Sequence, residues 1–382
     1  MQNQPVLIRF FFFYDYGRRG LGGGVIIVIS LKFPPKADPP VAEKIKMQNK
    51  KAKFGKKYDE IISLDNLLEA WKEFLQGKRN KKDVQIFQMR LMDNIFALHD
   101  DLNNLTYKHG GYQAFKINDP KPRDIHKAAV RDRLLHHAIY RILYPFFEKT
   151  FIADSYSCQL NKGTHRAINR FRKFSYKVSQ NNIKTCWILK CDIRKFFANI
   201  NHEILLGILA QYVPDKNISR FLEEVVGSFN TKGKDDVGLP LGNLTSQLFV
   251  NIYMNKFDQF VKHGLKAKYY IRYADDFVIF SGDKEWLEDR IETMRNFLRN
   301  ELKLELHPDK VFIKTLVSGL DFSGWVNFCD HRVLRTATKR RMMKRISENP
   351  SPETLNSYLG MLGHGNAEKL REDIFNNFVY KL

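Results

Sequence analysis

YYIRYADDFVIFS, residues 269–281, sets two adjacent carboxylates, Asp275 and Asp276, between two short apolar runs. Aromatic and β-branched residues on both sides read as strand, and the acidic pair reads as the tip of a tight hairpin. Upstream, TCWILKCDI (185–193) is a nearly continuous apolar run ending on Asp192, the pattern of a strand buried on both faces. Between the two, GLPLGNLTSQLFVNIYMNKFDQFVKHGL (238–265) has a Gly/Pro turn and then a long amphipathic helix from about Thr245. Downstream, EWLEDRIETMRNFLRNELKLEL (285–306) reads as a helix covering the sheet, with further strands around 310–316 and 320–328.

Toward the N-terminus the period turns helical. YDEIISLDNLLEAWKEFLQGKRNKK (58–82) puts Ile61, Ile62, Leu64, Leu67, Leu68, Trp71, Phe74 and Leu75 on one stripe, with Gly77 as its end. DVQIFQMRLMDNIFALHDDLNNL (83–105) reads as a second helix with Asp83 as N-cap. Short extended pieces occupy 112–125, and AAVRDRLLHHAIYRILYPFFEKTF (128–151) reads as a third helix broken near Pro145. HEILLGILAQYV (202–213) is a further helix, and the tail from Arg332 is mostly helical with a break at NPSPET (349–354). Residues 1–46, with FFFFYDYGRRGLGGG and KFPPKADPP, show neither period, whereas Met47 opens a sensible start. That segment is expected to be disordered or to come from an over-extended reading frame.

The chain has 382 residues, with 63 Lys+Arg against 42 Asp+Glu, a formal charge of +21. Such a surplus favours polyanions and says nothing about fold. Cys158, Cys186, Cys191 and Cys329 form no CxxC pair and no disulfide framework, which suits a reducing, cytoplasmic setting. Cys186 and Cys191 are expected on opposite faces of one strand. No apolar run reaches the ~18 residues of a spanning helix, so no membrane partner is expected.

Carboxylates brought together without partners are costly, and a hard divalent cation is the natural relief. Mg²⁺ takes carboxylate, phosphate and water oxygens. Two such ions ~4 Å apart activate a hydroxyl and stabilise a leaving pyrophosphate. An Asp-Asp turn alone is common; the order strand-Asp, Gly-turn-helix, Asp-Asp hairpin is what gives it weight.

These blocks resemble a known family. LKCDIRKFFANINHEIL (189–205), GLPLGNLTSQLFVNIYMNKFD (238–258) and YIRYADDFVIF (270–280) are similar to the successive palm motifs of bacterial reverse transcriptases. KPRDIHKAAVRDRLLHHAIYRIL (121–143) and SYSCQLNKGTHRAI (155–168) resemble the fingers motifs, and LELHPDKVFIK (304–314) and GLDFSGWV (319–326) the last palm elements. The resemblance implies an α+β right-hand polymerase fold: N-terminal helices and fingers over 47–184, a palm of antiparallel sheet backed by helices over 185–330, and a short helical thumb over 331–382. It implies an RNA-directed DNA polymerase that uses two Mg²⁺ ions, an RNA template, a primer and deoxynucleoside triphosphates. Asp192 and Asp275 would ligate both ions with the Ile193 carbonyl, and Asp276 would support them. Lys121 and Arg123 would grip the triphosphate, Phe197 would act as steric gate, and Lys310 would stand near the pyrophosphate. Tyr273 and Ala274 would shape the primer side, and Arg340 and Arg341 lie in the basic run RVLRTATKRRMMKR of the thumb.

The block LPLGNLTSQ refines the resemblance. Leu241 precedes Gly242 where most bacterial relatives have Gln, and Gln247 follows Ser246 where they have Pro. That form resembles the enzymes of diversity-generating retroelements, which copy RNA with errors at adenine and work with a small basic accessory protein. An apolar Leu241 beside the nascent pair would remove a polar check on geometry. The alternatives are a reverse transcriptase of phage defence or another retroelement, and a non-catalytic RNA-binding scaffold. Intact Asp192, Asp275 and Asp276 argue against the scaffold.

Overall fold

The hairpin expected at 269–281 forms, and it is half of a four-stranded antiparallel sheet. The computed structural model describes residues 52–118 and 122–379. The expectation for residues 1–46 and the position of Lys121 lie outside the described residues.

In chain order, helices α1 (Tyr58–Ile62), α2 (Leu64–Phe74), α3 (Lys82–Met89) and α4 (Leu91–Asn103) lead to a hairpin of β1 (Tyr112–Ile117) and β2 (Arg123–Ala128). Helices α5 (Val130–Phe147) and α6 (Thr164–Val178) precede the strand β3 (Trp187–Asp192). Then come α7 (His202–Ala210), α8 (Lys216–Gly227), α9 (Leu244–Gln259), β4 (Tyr270–Tyr273), β5 (Asp276–Ser281), α10 (Lys284–Leu302) and β6 (Phe312–Thr315). A small sheet of β7 (Leu320–Phe322), β8 (Trp325–Asn327) and β9 (Arg332–Leu334) follows, and α11 (Thr336–Glu348), α12 (Pro352–Leu362) and α13 (Glu368–Ile374) close the described chain.

The main sheet runs β4-β5-β3-β6, so β3 is central and covered on both faces. Side chains alternate across a strand, and two cores result. Ile188, Ile271, Val278 and Phe280 pack with Ala167, Ile168, Phe171 and Phe174 of α6 and with the small sheet. Leu189, Cys191, Tyr270, Phe277 and Ile279 pack on the other face with α9 and α10. Cys186 and Cys191 fall in different cores, as a five-residue spacing dictates. The C-terminal helices gather a third cluster around Met342, Ile346, Leu355, Leu362 and Ile374. Gly365 joins it to the small sheet at a contact that admits no side chain: an added Cβ would lie 2.0 Å from the Trp325 ring.

Several boundaries depart from the sequence reading. The first helical stripe is two helices, because Ser63 leaves the helix and its side chain caps Asn66 N–H. The second breaks at Arg90, which has φ −125° and ψ 45°. Asp83 sits inside α3 and not at its cap; its carboxylate faces Lys127 at 2.7 Å and also Arg133. Pro145 does not break α5, which runs on to Phe147. Its missing N–H falls in the last turn, where packing outweighs one lost bond. Helix α9 is buried on nearly every side and not amphipathic, since α5, α7 and α10 surround it. The region 320–328 is a hairpin turning at Ser323-Gly324, and 332–334 is strand.

Candidate active site at the hairpin tip

Tyr273 pairs with Asp276 across β4 and β5, leaving Ala274-Asp275 as a two-residue turn. Ala274 has φ 57°, the positive value at the first central position that twists strands correctly and that glycine adopts most easily. An alanine there holds strain beside the acidic pair. In the register of β3 against β5, Asp192 is directly opposite Asp276. Beyond it, Ile193 N–H donates to the Asp275 carbonyl at 3.1 Å, and His307 N–H donates to the Asp192 carbonyl at 2.8 Å. Main-chain bonds thus lock the strand end to the hairpin tip.

The charges are crowded. Burial raises the Asp275 carboxyl above its ordinary range, and the Asp192 charge raises it further; Lys310 and Arg123 oppose this. Burial pushes Asp276 up to about 6 against the pull of Lys190. Lys310 Nζ donates to Asp192 Oδ1 at 3.0 Å. Lys190 Nζ donates to Asp276 Oδ2 at 3.0 Å and to the Asp321 carbonyl at 2.6 Å, while Asp276 Oδ1 is buried without a partner. An orphaned carboxylate oxygen and a carboxyl raised by burial and by a neighbouring charge are what a hard dication relieves. Among the described residues no three Asp, Glu, His or Cys side chains form a cage by themselves. Two carboxylates and a backbone carbonyl suit Mg²⁺, which leaves positions for water and phosphate.

The β1–β2 hairpin meets this corner. Arg123 opens β2 and is close enough for its charge to act on Asp275. His126 N–H donates to the Leu241 carbonyl at 3.0 Å, and Asn243 Nδ2 donates to the His126 carbonyl at 2.8 Å. The turn before α9 is therefore latched to β2. Gly242 has φ 109°, and a Cβ there would come 2.9 Å from Ile125 Cγ2, so both conformation and space require glycine. Leu241 is half-buried beside it. After β3, Phe196 is core at 3% exposure, whereas Phe197 is half-exposed and its carbonyl accepts from Leu239 N–H at 2.9 Å.

Other residues singled out from the sequence lie around this corner or away from it. Tyr273 Oη lies 3.1 Å from Thr164 Oγ1, tying the tip to the start of α6. The Gln247 carbonyl, in the first turn of α9, accepts from Asn251 Nδ2 at 3.1 Å. Arg340 is exposed and Arg341 half-buried on α11. The sequence reading passed over Lys190 and Arg272. A cation inside an otherwise apolar strand is the signal that marks both.

Strand-end carboxylate, acidic hairpin and latched turn together define an α+β polymerase fold. The chain matches the reverse transcriptase (RNA-dependent DNA polymerase) family over residues 116–360 and belongs to it. Members of this family generally use divalent metal ions. It is 26% identical over 315 residues to Protein YkfC of Escherichia coli (strain K12), covering 71% of this chain and 79% of that one. It is 25% identical over 309 residues to the group II intron-encoded protein LtrA of Lactococcus lactis subsp. cremoris, 63% of this chain and 50% of that protein, so it spans half the length of that relative. Among solved structures it resembles a chain of a partial Cas6-RT-Cas1–Cas2 complex at 19% identity and a TM-score of 0.39, covering 64% of this chain and 42% of that one. Among the described residues no helix is long and apolar enough to cross a membrane.

Proposed function

We propose that this chain extends a primer with deoxynucleotides on an RNA template, in the cytoplasm, as the polymerase of a diversity-generating retroelement. The observation that supports it most is the register of Asp192 against the Asp275-Asp276 tip, with Arg123 brought to the same corner. Residues 47–184 would act as N-terminal helices and fingers, 185–330 as palm and 331–382 as thumb.

Asp192, Asp275 and the Ile193 carbonyl would hold two Mg²⁺ ions, with Asp276 supporting them. Bound there, the ions would supply activation of the primer hydroxyl and stabilisation of the leaving pyrophosphate. Arg123 offers a bidentate fork to the triphosphate, with Lys121 beside it in sequence. Lys310 stands one hydrogen bond from Asp192 and can give a proton to the departing pyrophosphate. Phe197, half-exposed where Phe196 is core, would crowd a 2′-hydroxyl. Tyr273 and Ala274 face the primer end, and Gln247, Arg340 and Arg341 serve the template–primer duplex.

The Leu241-Gly242…Gln247 form supports the retroelement subtype. A small basic accessory protein would be its partner. Similarity to an intron-encoded protein favours a second reading, a polymerase of another retroelement. Sequencing cDNA made by the purified chain on a defined RNA, with Mg²⁺ and deoxynucleotides, tests both. Errors concentrated at template adenines are expected; uniform, low error would favour the second reading. No extension with cognate RNA and accessory protein supplied would leave an RNA-binding scaffold.

A further inference from the structure

Arg272 is 1% exposed, one of the largest side chains buried in the molecule, and three separate stretches of chain converge on it. Its Nε donates to Asp258 Oδ1 and Oδ2 at 2.8 and 3.0 Å, and its Nη2 to Asp258 Oδ2 at 2.7 Å. Its Nη1 donates to the Ala274 carbonyl at 3.0 Å, and Nη2 also reaches Asn251 Oδ1 at 3.4 Å. Tyr270 Oη donates to the same Asp258 Oδ1 at 2.7 Å. Arg272 N–H donates to the Asp154 carbonyl, and Tyr156 N–H donates to the Arg272 carbonyl, each at 3.0 Å. Asn251 Nδ2 donates to the Ser157 carbonyl at 2.9 Å.

A buried ion pair adds little stability over a well-packed apolar pair, so stability alone gives no reason for a charge here. Geometry gives one. The carbonyl that Arg272 holds belongs to Ala274, the residue with positive φ, and that peptide plane continues directly into Asp275. We propose that Arg272 is a positioning residue: with Asp258 it fixes the Ala274–Asp275 peptide and so sets the Asp275 carboxylate against Asp192. Asn251 refers the same guanidinium to α9, the helix that begins just after Leu241 and Gly242. The metal side and the nucleotide side of the corner thereby share one anchor. This rests on the proposed metal-holding role of Asp192 and Asp275.

The test compares the wild type with Arg272→Lys, Asp258→Asn and the apolar double variant Arg272→Met/Asp258→Leu. Three readouts are taken: thermal melting, Mn²⁺ binding followed by the electron paramagnetic resonance of the free ion, and primer extension across Mg²⁺ and deoxynucleotide concentrations. Variants that keep a cooperative melt are expected to bind Mn²⁺ about tenfold more weakly, as when a ligand loses its supporting bond. Their maximal extension rate is expected to fall about a hundredfold with deoxynucleotide KM nearly unchanged, the mark of a displaced reacting group. A folded variant with wild-type Mn²⁺ affinity and rate overturns the proposal. So does loss of the melt in all three variants, which would make the pair a folding determinant only, and so does a wild type that binds no Mn²⁺. A wild type that binds Mn²⁺ yet copies no RNA counts against the proposed function instead, and the Mn²⁺ titration of the variants then judges the clamp.

Discussion

At the scale of single residues, Asp192 and Asp275 bear the sharpest prediction. Asp192→Ala or Asp275→Ala should lower primer extension at least about a thousandfold, since metal stabilisation of the transition state is worth several kcal/mol. RNA binding, measured by filter retention, should stay near wild type. Leu241→Gln should cut misincorporation opposite template adenine about tenfold, because one discriminating hydrogen bond is worth ~1–3 kcal/mol. Unchanged cDNA error at adenine would remove Leu241 from the fidelity argument. Gly242→Ala should destabilise the chain by about 1–2 kcal/mol in a denaturant melt. The alanine would be strained at φ 109°, and its Cβ would press on Ile125. Aspartates at the end of an apolar strand and at a hairpin tip were legible because both positions break an apolar pattern. Arg272 breaks such a pattern too, but nothing local tells that it is buried or that its partner is Asp258, on the preceding helix.

At the scale of elements, α5 carries two adjacent histidines, His136 buried and His137 half-buried. Burial lowers His136 far below its ordinary value, and burial with the charges of Lys78 and Arg133 lowers His137 to about 4. Between pH 4 and 6.5 the unfolded chain therefore binds protons at these imidazoles that the folded chain refuses, so their contribution to stability falls as pH drops through that window. The melting temperature of the wild type should fall relative to that of His137→Phe as pH drops from 7 to 4.5. A difference between the two that does not change with pH would show that this imidazole takes up its proton without cost. Helix boundaries were the least legible elements. Ser63 and Arg90 interrupt stripes whose apolar spacing runs straight through them, and only cap geometry and the packing of four short helices distinguish two helices from one.

At the scale of the molecule, the surplus of 63 basic over 42 acidic residues predicts RNA affinity that falls steeply with salt. Arg340→Ala with Arg341→Ala should weaken binding to all RNA sequences alike. The slope of log affinity against log salt should fall by about 1 for each phosphate that is no longer neutralised. A sequence-dependent weakening, or an unchanged slope, would take α11 out of the backbone grip. Both arginines lie on α11, whose Met342 and Ile346 belong to the C-terminal cluster, and Gly365 packs that region closely against Trp325 of the small sheet.

What the sequence determined by itself is the polymerase class and the carboxylates at its corner. Periodicity and apolar runs act locally, so a buried strand ending in Asp and an acidic hairpin announce themselves from their own residues. Tertiary structure alone decided the register that sets Asp192 across from Asp276, the latch of β2 onto the Leu241 turn, and the burial of Arg272 with Asp258. Each of these joins residues far apart in the chain, and its energy comes from groups that meet only once the two cores have closed over the sheet.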